Sequence, residues 1–237
     1  MPQLPALDLS DNHIDDIPCF TEGHKLTWLN LRNNGLRTLE GLGDCGYLTN
    51  IDLSGNDIAD ASALANHKRL RTCDLSDNLL TGEFQLGSLP QLRQLDLANN
   101  RMKRMVVAEI HTGLLGLNIA GNRIADLGFL SKLPGLVDLI ASENPIRDNG
   151  PIMGLRKLQR LYLWHTGLDT VEGLERLVGL RELGLADNRL HDVRSLSALD
   201  NLEILLLGGN LDIPHGDLEG LERSVQGDFR GPGWKEE

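Results

Sequence analysis

The chain has 237 residues, of which 41% are apolar and 4% aromatic, and its formal net charge is -11. This length can hold one or two domains, and the core must be built mainly from aliphatic side chains. The acidic balance argues against a nucleic-acid-binding protein, which usually presents a basic face, and it favours a protein partner with a basic region.

The N-terminal residues, MPQLPALDLSDN, contain no basic region followed by an apolar run, so we expect no secretory signal. No stretch approaches the roughly 18 consecutive apolar residues that a membrane span requires. Cys19, Cys45 and Cys73 lack the paired spacing of a metal site, and we expect reduced, mostly buried thiols. These features predict a cytoplasmic protein that uses no metal and no other cofactor.

A leucine frame, L-x-x-L-x-L-x-x-N-x-L, recurs with a constant spacing of 22 residues (26 − 4, 48 − 26 and so on). Its ten copies open at Leu4, Leu26, Leu48, Leu70, Leu92, Leu114, Leu136, Leu158, Leu180 and Leu202. When offsets are counted from each opening leucine, apolar residues at offsets 3 and 5 alternate with other residues at offsets 2, 4 and 6. This alternation predicts one short strand per copy, with its apolar side facing inward.

Asparagine occupies offset 8 in every copy except one, where Thr166 replaces it. A primary amide offers both donors and an acceptor, so a buried column of these side chains could satisfy the backbone groups of the turns. After the asparagine, apolar residues follow in steps of three, as in Ile124, Leu127 and Leu130. Such steps favour 3₁₀ or extended segments over a long α-helix. Copies four and five have the poorest pattern, with Glu83 at an apolar position, and we expect local irregularity there.

The frame resembles the leucine-rich repeat family over about residues 4–213, in the class typified by the regulatory subunit of type 1 protein phosphatase and by bacterial internalins. The segments LTWLNLRNNGLRTLEGL and LLGLNIAGNRIADLGFL carry it fully. The expected fold class is an α/β repeat solenoid: a curved, right-handed stack with a concave parallel β-sheet of about ten short strands and a thin 3₁₀ or extended convex side. We interpret residues 1–237 as one domain, with ten repeats in 4–213 and a C-terminal cap and tail in 214–237.

The two ends of the stack differ. The segment DLEGLERSVQ predicts a short capping helix that begins at Asp217 as N-cap, with Phe229 and Trp234 sealing it. Its apolar face would consist of Leu218, Leu221 and Val225. The N-terminus has no cap, because Leu4 already opens the first copy. We expect a monomer with a frayed first strand, and self-association through that edge is the alternative.

The outward positions of the strands change character along the chain. Asp52, Asp74 and Asp96 would form an acidic stripe, which is either solvated family filler or a place for a cation or a Lys/Arg side chain of a partner. Further along, Tyr162 and Trp164 would lie beside a recess left by Gly184 and Ala186. Large amphipathic rings next to a recess are typical of a binding hot spot. We therefore predict a partner-binding surface that consists of Ile140, Glu143, Arg160, Tyr162, Trp164 and His165, with a smaller candidate at Trp28 and Arg32.

Two alternatives remain for the aromatic side chains: they could merely cover the sheet, or the C-terminal tail could fold back over them. For Ile204 and Leu206, burial by the tail is favoured. A basic cluster just after the strands of copies five and six is interpreted as a solvated edge that could attract an acidic segment. It comprises Arg101, Lys103, Arg104 and Arg123.

The sequence contains no G-x-S-x-G motif, no phosphate-binding glycine loop and no histidine pair with the spacing of a metal site. The preferred function is therefore a non-catalytic protein-interaction module, and its resemblance to the phosphatase regulatory class implies a partner enzyme that it regulates. One alternative is an internalin-like adhesin or virulence factor that binds a host protein, although the missing signal sequence counts against it. A remote alternative is an enzyme with a site built from Asp138, Arg160 and His165.

Overall fold

The computed structural model describes residues 4–17 and 25–230 of the chain. Within these residues the main element is a parallel sheet of 11 strands, in which each repeat adds one strand beside the previous one. Its strands are β1 (Ala6–Asp8), β2 (Trp28–Asn30), β3 (Asn50–Asp52), β4 (Thr72–Asp74), β6 (Gln94–Asp96), β8 (Gly116–Asn118), β9 (Asp138–Ile140), β10 (Arg160–Tyr162), β11 (Glu182–Gly184), β12 (Ile204–Leu206) and β13 (Asp228–Arg230). The remaining two strands, β5 (Thr81–Leu86) and β7 (Arg101–Val107), form a separate sheet.

Neighbouring strands pair without stagger, so that Leu7 lies opposite Leu29 and Leu139 lies opposite Leu161. Equivalent side chains of successive copies therefore stand side by side, and the inward leucines form one continuous core. In the interior copies these leucines are fully buried, as are Leu29 and Leu161. Each copy covers the apolar side of its neighbour, which is the energetic principle of a repeat stack.

The asparagine column forms the predicted hydrogen bonds. The Asn56 side-chain nitrogen donates to the carbonyl oxygens of Leu31, at 3.0 Å, and Leu53, at 2.9 Å. Its Oδ1 accepts from the Leu36 backbone N–H at 3.1 Å. One amide thus satisfies three buried backbone groups in two copies, which would otherwise carry a large desolvation cost.

Thr166 interrupts this column. Its hydroxyl lies 2.9 Å from Asn188 Oδ1 and 3.1 Å from the Leu163 carbonyl oxygen. The Ile146 N–H, which would donate to an amide at position 166, donates instead to the Asn144 carbonyl oxygen at 2.7 Å. The change is therefore absorbed locally, by a tighter turn in the preceding copy.

The convex side is thin, as predicted. The described residues form short 3₁₀ segments there, at Leu42–Asp44, Ser62–Asn66, Gly128–Lys132, Gly150–Gly154, Leu174–Arg176 and Arg194–Ala198. Copies four and five depart from this pattern at the predicted place. The departure is more regular than expected, because β5 and β7 pair in parallel with a register shift between Gly82 and Glu83. Met102 and Met105 of β7 point into the core, since both are almost completely buried.

The C-terminal cap contains a helix, α1 (His215–Ser224), that contacts the 3₁₀ segment Arg194–Ala198. Its N-cap is Pro214 and not Asp217, which lies in the first turn. A proline at that point already has a suitable φ of -63, and it needs no N–H partner. The sheet has one strand more than the ten repeats supply, because the tail returns to the sheet and β13 pairs with β12. Trp234 lies outside the described residues.

The N-terminal edge is less well covered. Leu4 is 51% exposed, and Leu7 and Leu9 are only partly buried, whereas Leu29 and Leu31 one copy later are fully buried. Strand β1 nevertheless pairs with β2 along its whole length. The first copy is therefore a formed but poorly packed end of the stack.

Cys45 and Cys73 are buried, as expected, and Cys19 lies outside the described residues. Burial raises the pKa of the Cys73 thiol, and the nearby carboxylate of Asp74 adds to this shift. A thiol held in its neutral form is a poor nucleophile. Cys73 therefore acts as a core side chain in place of a frame leucine.

Candidate partner-binding surface

The concave face is the outward side of the 11-stranded sheet, formed by the side chains at offsets 2, 4 and 6. Strand pairing places Asp52 beside Asp74, and Asp74 beside Asp96, so the predicted acidic stripe exists as a row on neighbouring strands. Tyr162 lies beside Ile140 on one side and Gly184 on the other. The face thus has an acidic part in its middle copies and an apolar part near its C-terminal end.

The acidic stripe has a structural role that the sequence interpretation missed. Asp52 Oδ1 accepts hydrogen bonds from the backbone N–H and the hydroxyl of Ser54, at 2.9 Å and 2.6 Å. Asp74 and Ser76 repeat this arrangement. The carboxylate therefore holds the turn that follows each strand, as aspartate commonly does in turns. The signal was present in the sequence, as Asp followed two residues later by Ser.

Asp96 is a member of the stripe in which burial disfavours the charged carboxylate. Its pKa is raised, first because the carboxyl group is buried and also because Asp74 lies nearby, although hydrogen bonds from Ala98 and Asn118 oppose the shift. The Asn118 amide donates to Asp96 Oδ2 at 2.9 Å. A cationic group placed over this part of the stripe would relieve the repulsion between the carboxylates.

The Tyr162 and Trp164 rings form an edge-to-face pair, with centroids 5.4 Å apart and planes at 84°. Both rings lean over Gly184, where an added Cβ atom would lie 2.0 Å from Trp164 Nε1 and 2.5 Å from Tyr162 Cδ1. The prediction of an empty recess at Gly184 is therefore wrong, because the two rings fill this space themselves. Trp164 still leaves 40% of its surface exposed.

Charged neighbours fix the orientation of Tyr162. Its hydroxyl donates a hydrogen bond to the Glu182 carboxylate, and burial together with this charge raises the pKa of Tyr162 to about 12. Arg160 forms a two-pronged ion pair with Asp138, with N–O distances of 2.6 Å and 2.6 Å. Asp138, Arg160 and Glu182 thus form an alternating row beside the rings, and the bond to Glu182 restrains the Tyr162 ring, against which Trp164 packs, before any partner arrives.

An apolar hollow of about 430 Å³ opens beside the aromatic pair. Ile140, Trp164 and Leu206 form part of its wall, and the Asp228–Arg230 ion pair, 2.7 Å long, lies at its far rim. The expectation that the tail buries Ile204 and Leu206 was wrong for the described residues. Because β13 pairs edge to edge with β12, it extends the sheet beside these side chains and leaves them partly exposed.

A second hollow, of about 390 Å³, adjoins the first and is lined partly by Asp74 and Asp96. The two hollows share Ile140 and Tyr162. A ligand on the concave face would therefore meet carboxylates on one side of Tyr162 and apolar side chains on the other.

Comparisons with known proteins agree with this geometry. The leucine rich repeat family matches residues 1–58. The fold resembles an internalin from Listeria monocytogenes, with a TM-score of 0.71 and 22% identity, over 97% of this chain and 73% of that chain. The chain has the leucine-rich repeat fold. A comparison with curated protein sequences finds no match.

Two further solved structures resemble this chain. One is the LRIM1/APL1C complex, with a TM-score of 0.68 and 20% identity, over 95% of this chain and 52% of that chain. The other is the TLR13–ssRNA13 complex, with a TM-score of 0.65 and 25% identity, over 78% of this chain and 29% of that chain. The chain therefore spans about half and less than a third of these two proteins.

Glu143 and His165 of the leucine-rich repeat chain lie at the edge of the predicted surface, at offset 7. Both have a left-handed backbone, with φ values of 55 and 50. They line a separate edge hollow of about 670 Å³, together with Arg147, Asp187 and Arg189. Glu143 alone also lines the apolar hollow.

Trp28 and Arg32 form a separate region of the concave face. Strand β2 lies six strands away from β10 in the sheet order, a distance of about 29 Å at the usual strand spacing of about 4.8 Å. Trp28 is 38% exposed and Arg32 is also exposed. They could belong to the same site as Tyr162 only if the partner were a large macromolecule.

The structure brings together only two residues of the remote catalytic alternative. Arg160 and Asp138 form an ion pair, but in the described part of the leucine-rich repeat chain no hydrogen bond joins His165 to either of them. Among the described residues, no cluster of three or more His, Cys, Asp or Glu side chains could hold a metal ion. The described helices include none that is long and apolar enough to cross a membrane.

Proposed function

We propose that this leucine-rich repeat chain is a non-catalytic protein-interaction module that binds one partner protein on its concave face. The observation that carries the proposal is the restrained Tyr162–Trp164 pair beside an apolar hollow of about 430 Å³. Rings that are already held in place lose little conformational freedom on binding, which favours their use as anchors.

The acidic stripe indicates that the partner presents a positively charged region. Asp74 and Asp96 line the hollow that adjoins the aromatic pair, and the whole chain carries a net charge of -11. A basic region of the partner would be attracted to this side and would reach the apolar hollow in a defined orientation. The charge also disfavours a nucleic acid as the partner on this face.

The LRIM1/APL1C complex is an assembly of two proteins, which supports a protein partner here by analogy of fold alone. We also propose that the partner is an enzyme that this chain regulates and that the protein is cytoplasmic. The internalin-like alternative shares the same binding surface and differs in the source of the partner. A partner recovered only from a host cell, and not from the cell that makes this protein, would favour the adhesin.

Affinity capture followed by a binding measurement tests the proposal. The intact chain and the Tyr162→Ala/Trp164→Ala variant would be compared on the same recovered partner, by isothermal calorimetry. We expect a loss of about 2 kcal/mol or more, which corresponds to roughly thirtyfold weaker binding.

The matched control is Tyr47→Ala/Val178→Ala, which removes two other exposed apolar side chains from positions outside the concave face. It should leave the affinity within about twofold of the intact chain. If both double variants bind like the intact chain, while circular dichroism shows that both are folded, the concave anchor is rejected.

A further inference from the structure

We infer that the convex side carries a second docking surface, which binds an extended acidic segment of another protein with an apolar side chain at its end. This surface consists of the exposed basic side chains of the β5–β7 sheet and its neighbour, together with the hollow at the end of that sheet. The basic residues are Arg101, Lys103, Arg104 and Arg123. The inference does not depend on the concave site.

The basic side chains point outward because of the strand register. Gly82 pairs with Met102 and Glu83 pairs with Arg104, so Lys103 is an extra residue on β7. The register shift turns Lys103 and Arg104 outward together, while Met102 and Met105 remain in the core. The result is a strand of seven residues with a concentrated positive charge on its exposed side.

Little within the described chain neutralises this charge. Arg104 meets Glu83 at 3.8 Å, and both side chains are largely exposed, so the pair contributes little. The described ion pairs include none for Arg101, Lys103 or Arg123. In a chain with a net charge of -11, this cluster is a local reversal of sign that an acidic ligand would match.

The second component is an apolar hollow of about 400 Å³ that begins where β5 and β7 end. Leu86, Pro90 and Val107 line it, and Ile110, which is 64% exposed, lies at its margin. The hollow can accept an apolar side chain without a large rearrangement, because its wall is already held by hydrogen bonds.

His111 supplies these bonds. Its Nε2 lies 2.8 Å from the Leu89 carbonyl oxygen, and its Nδ1 accepts from the Leu114 N–H at 3.1 Å. Acceptance at Nδ1 leaves Nε2 as the donor, so the ring joins the segment at Leu89 to the segment at Leu114.

The combination of basic side chains with an apolar hollow favours a polypeptide over a nucleic acid. Phosphate groups would use the basic side chains but would leave the apolar hollow empty, and Glu83 stands within the basic row. An extended peptide with about seven residues would run along β7, at about 3.3 Å per residue, and would place its last side chain in the hollow.

Fluorescence anisotropy with synthetic labelled peptides tests the inference. The probe alternates Glu and Ser and ends in Leu, and a second probe has Ser in place of this Leu. We expect the first probe to bind the intact chain, and the second probe and the Lys103→Ser/Arg104→Ser variant each to weaken binding by about tenfold or more. Added salt should weaken the binding of the intact chain.

The matched control is Arg147→Ser/Arg189→Ser, which removes the same charge from exposed positions outside this surface. The inference is supported if this control binds the first probe like the intact chain. It is overturned if both double variants lose equal affinity, if no binding is detected, or if the terminal Leu has no effect.

Two further measurements address other occupants. A single-stranded oligonucleotide that binds more tightly than the peptide, and loses this binding in Lys103→Ser/Arg104→Ser, would replace the acidic polypeptide with a nucleic acid. Sedimentation velocity without peptide should show the same oligomeric state for the intact chain and this variant. A dimer that the variant abolishes would instead identify a second copy of this chain as the occupant.

Discussion

Backbone conformation at single residues explains part of the sequence. The residue at offset 7 has a left-handed backbone conformation in every described repeat. In most copies this residue is Asp, Asn or Gly. Glu143 has a φ of 55 without the short polar side chain that tolerates this conformation. At its neighbour Gly121, with a φ of 63, an added Cβ would lie 2.4 Å from Asn99 Oδ1, so the Asn99 side chain would have to move.

We predict that Glu143→Gly raises the free energy of unfolding by about 0.5 to 1 kcal/mol, because it relieves the left-handed strain. Urea denaturation followed by circular dichroism would measure this gain. Gly121→Ala is the opposite control and should lower the stability, since it adds both strain and a close contact. A loss of stability in Glu143→Gly would show that the side chain makes a stabilising contact that outweighs the strain.

The Tyr162 hydroxyl makes the free energy of unfolding depend on pH in the alkaline range. Its pKa is raised to about 12, above the ordinary value of about 10 for a tyrosine. The fold therefore favours the neutral phenol, and this contribution is fully present below pH about 10 and is lost as the pH rises through about 12.

Ultraviolet titration of Tyr47→Phe would report Tyr162 alone, since the chain has only two tyrosines. We expect an apparent pKa of about 12. Glu182→Gln should lower it, because a negative charge next to the hydroxyl disappears, while burial still keeps it above the ordinary value. An ordinary pKa in Tyr47→Phe would mean that the ring is more solvated than the structure shows.

Secondary-structure elements show how the stack ends. α1 begins after Pro214 and places Leu221, which is 1% exposed, against the last repeat. Phe229 of β13 then pairs with Leu205 in the main sheet. The cap thus covers the last apolar face with one helix and one added strand. The C-terminal edge strand of the sheet is therefore β13 instead of β12.

We predict that Leu221→Ala destabilises the protein by about 2 to 4 kcal/mol, which is the usual range for a large-to-small change in a core. Thermal and urea unfolding would measure the loss. Glu219→Ala, on the exposed side of the same helix, should change the stability by less than about 0.5 kcal/mol. Equal effects of the two substitutions would argue against the packing of α1 on the stack.

The whole molecule is a one-dimensional array in which each copy contacts mainly its neighbours. The interior copies have neighbours on both sides and fully buried leucines, whereas Leu4, Leu7 and Leu9 of the first copy are partly or largely exposed. Local opening should therefore begin at the N-terminal edge.

Hydrogen exchange measured by mass spectrometry would test this gradient. The Leu9 N–H, bonded to the Asn30 carbonyl oxygen, should exchange much faster than the Ile119 N–H, bonded to the Ile140 carbonyl oxygen. The same order should hold at several protein concentrations if the edge is not covered by a second molecule. Equal protection of both amides would contradict the nearest-neighbour description and indicate a single cooperative unit.

The sequence by itself determined the repeat unit, its strand and the role of its asparagines. These features depend on local periodicity and on groups such as Asn56, which bonds only to its own copy and the adjacent one. The location of the irregular segment was also predictable, because the apolar pattern of the convex side is poorest in copies four and five, where Glu83 occupies an apolar position.

The tertiary structure decided which features act together. Whether Gly184 leaves a recess depends on where the Trp164 ring turns, and the exposure of Leu206 depends on β13 returning to the edge of the sheet. Similarly, Lys103 and Arg104 face the same way only because β5 and β7 pair with a register shift. Ring orientation, edge pairing and register all arise from contacts between segments, and a periodic pattern along one chain contains no information about them.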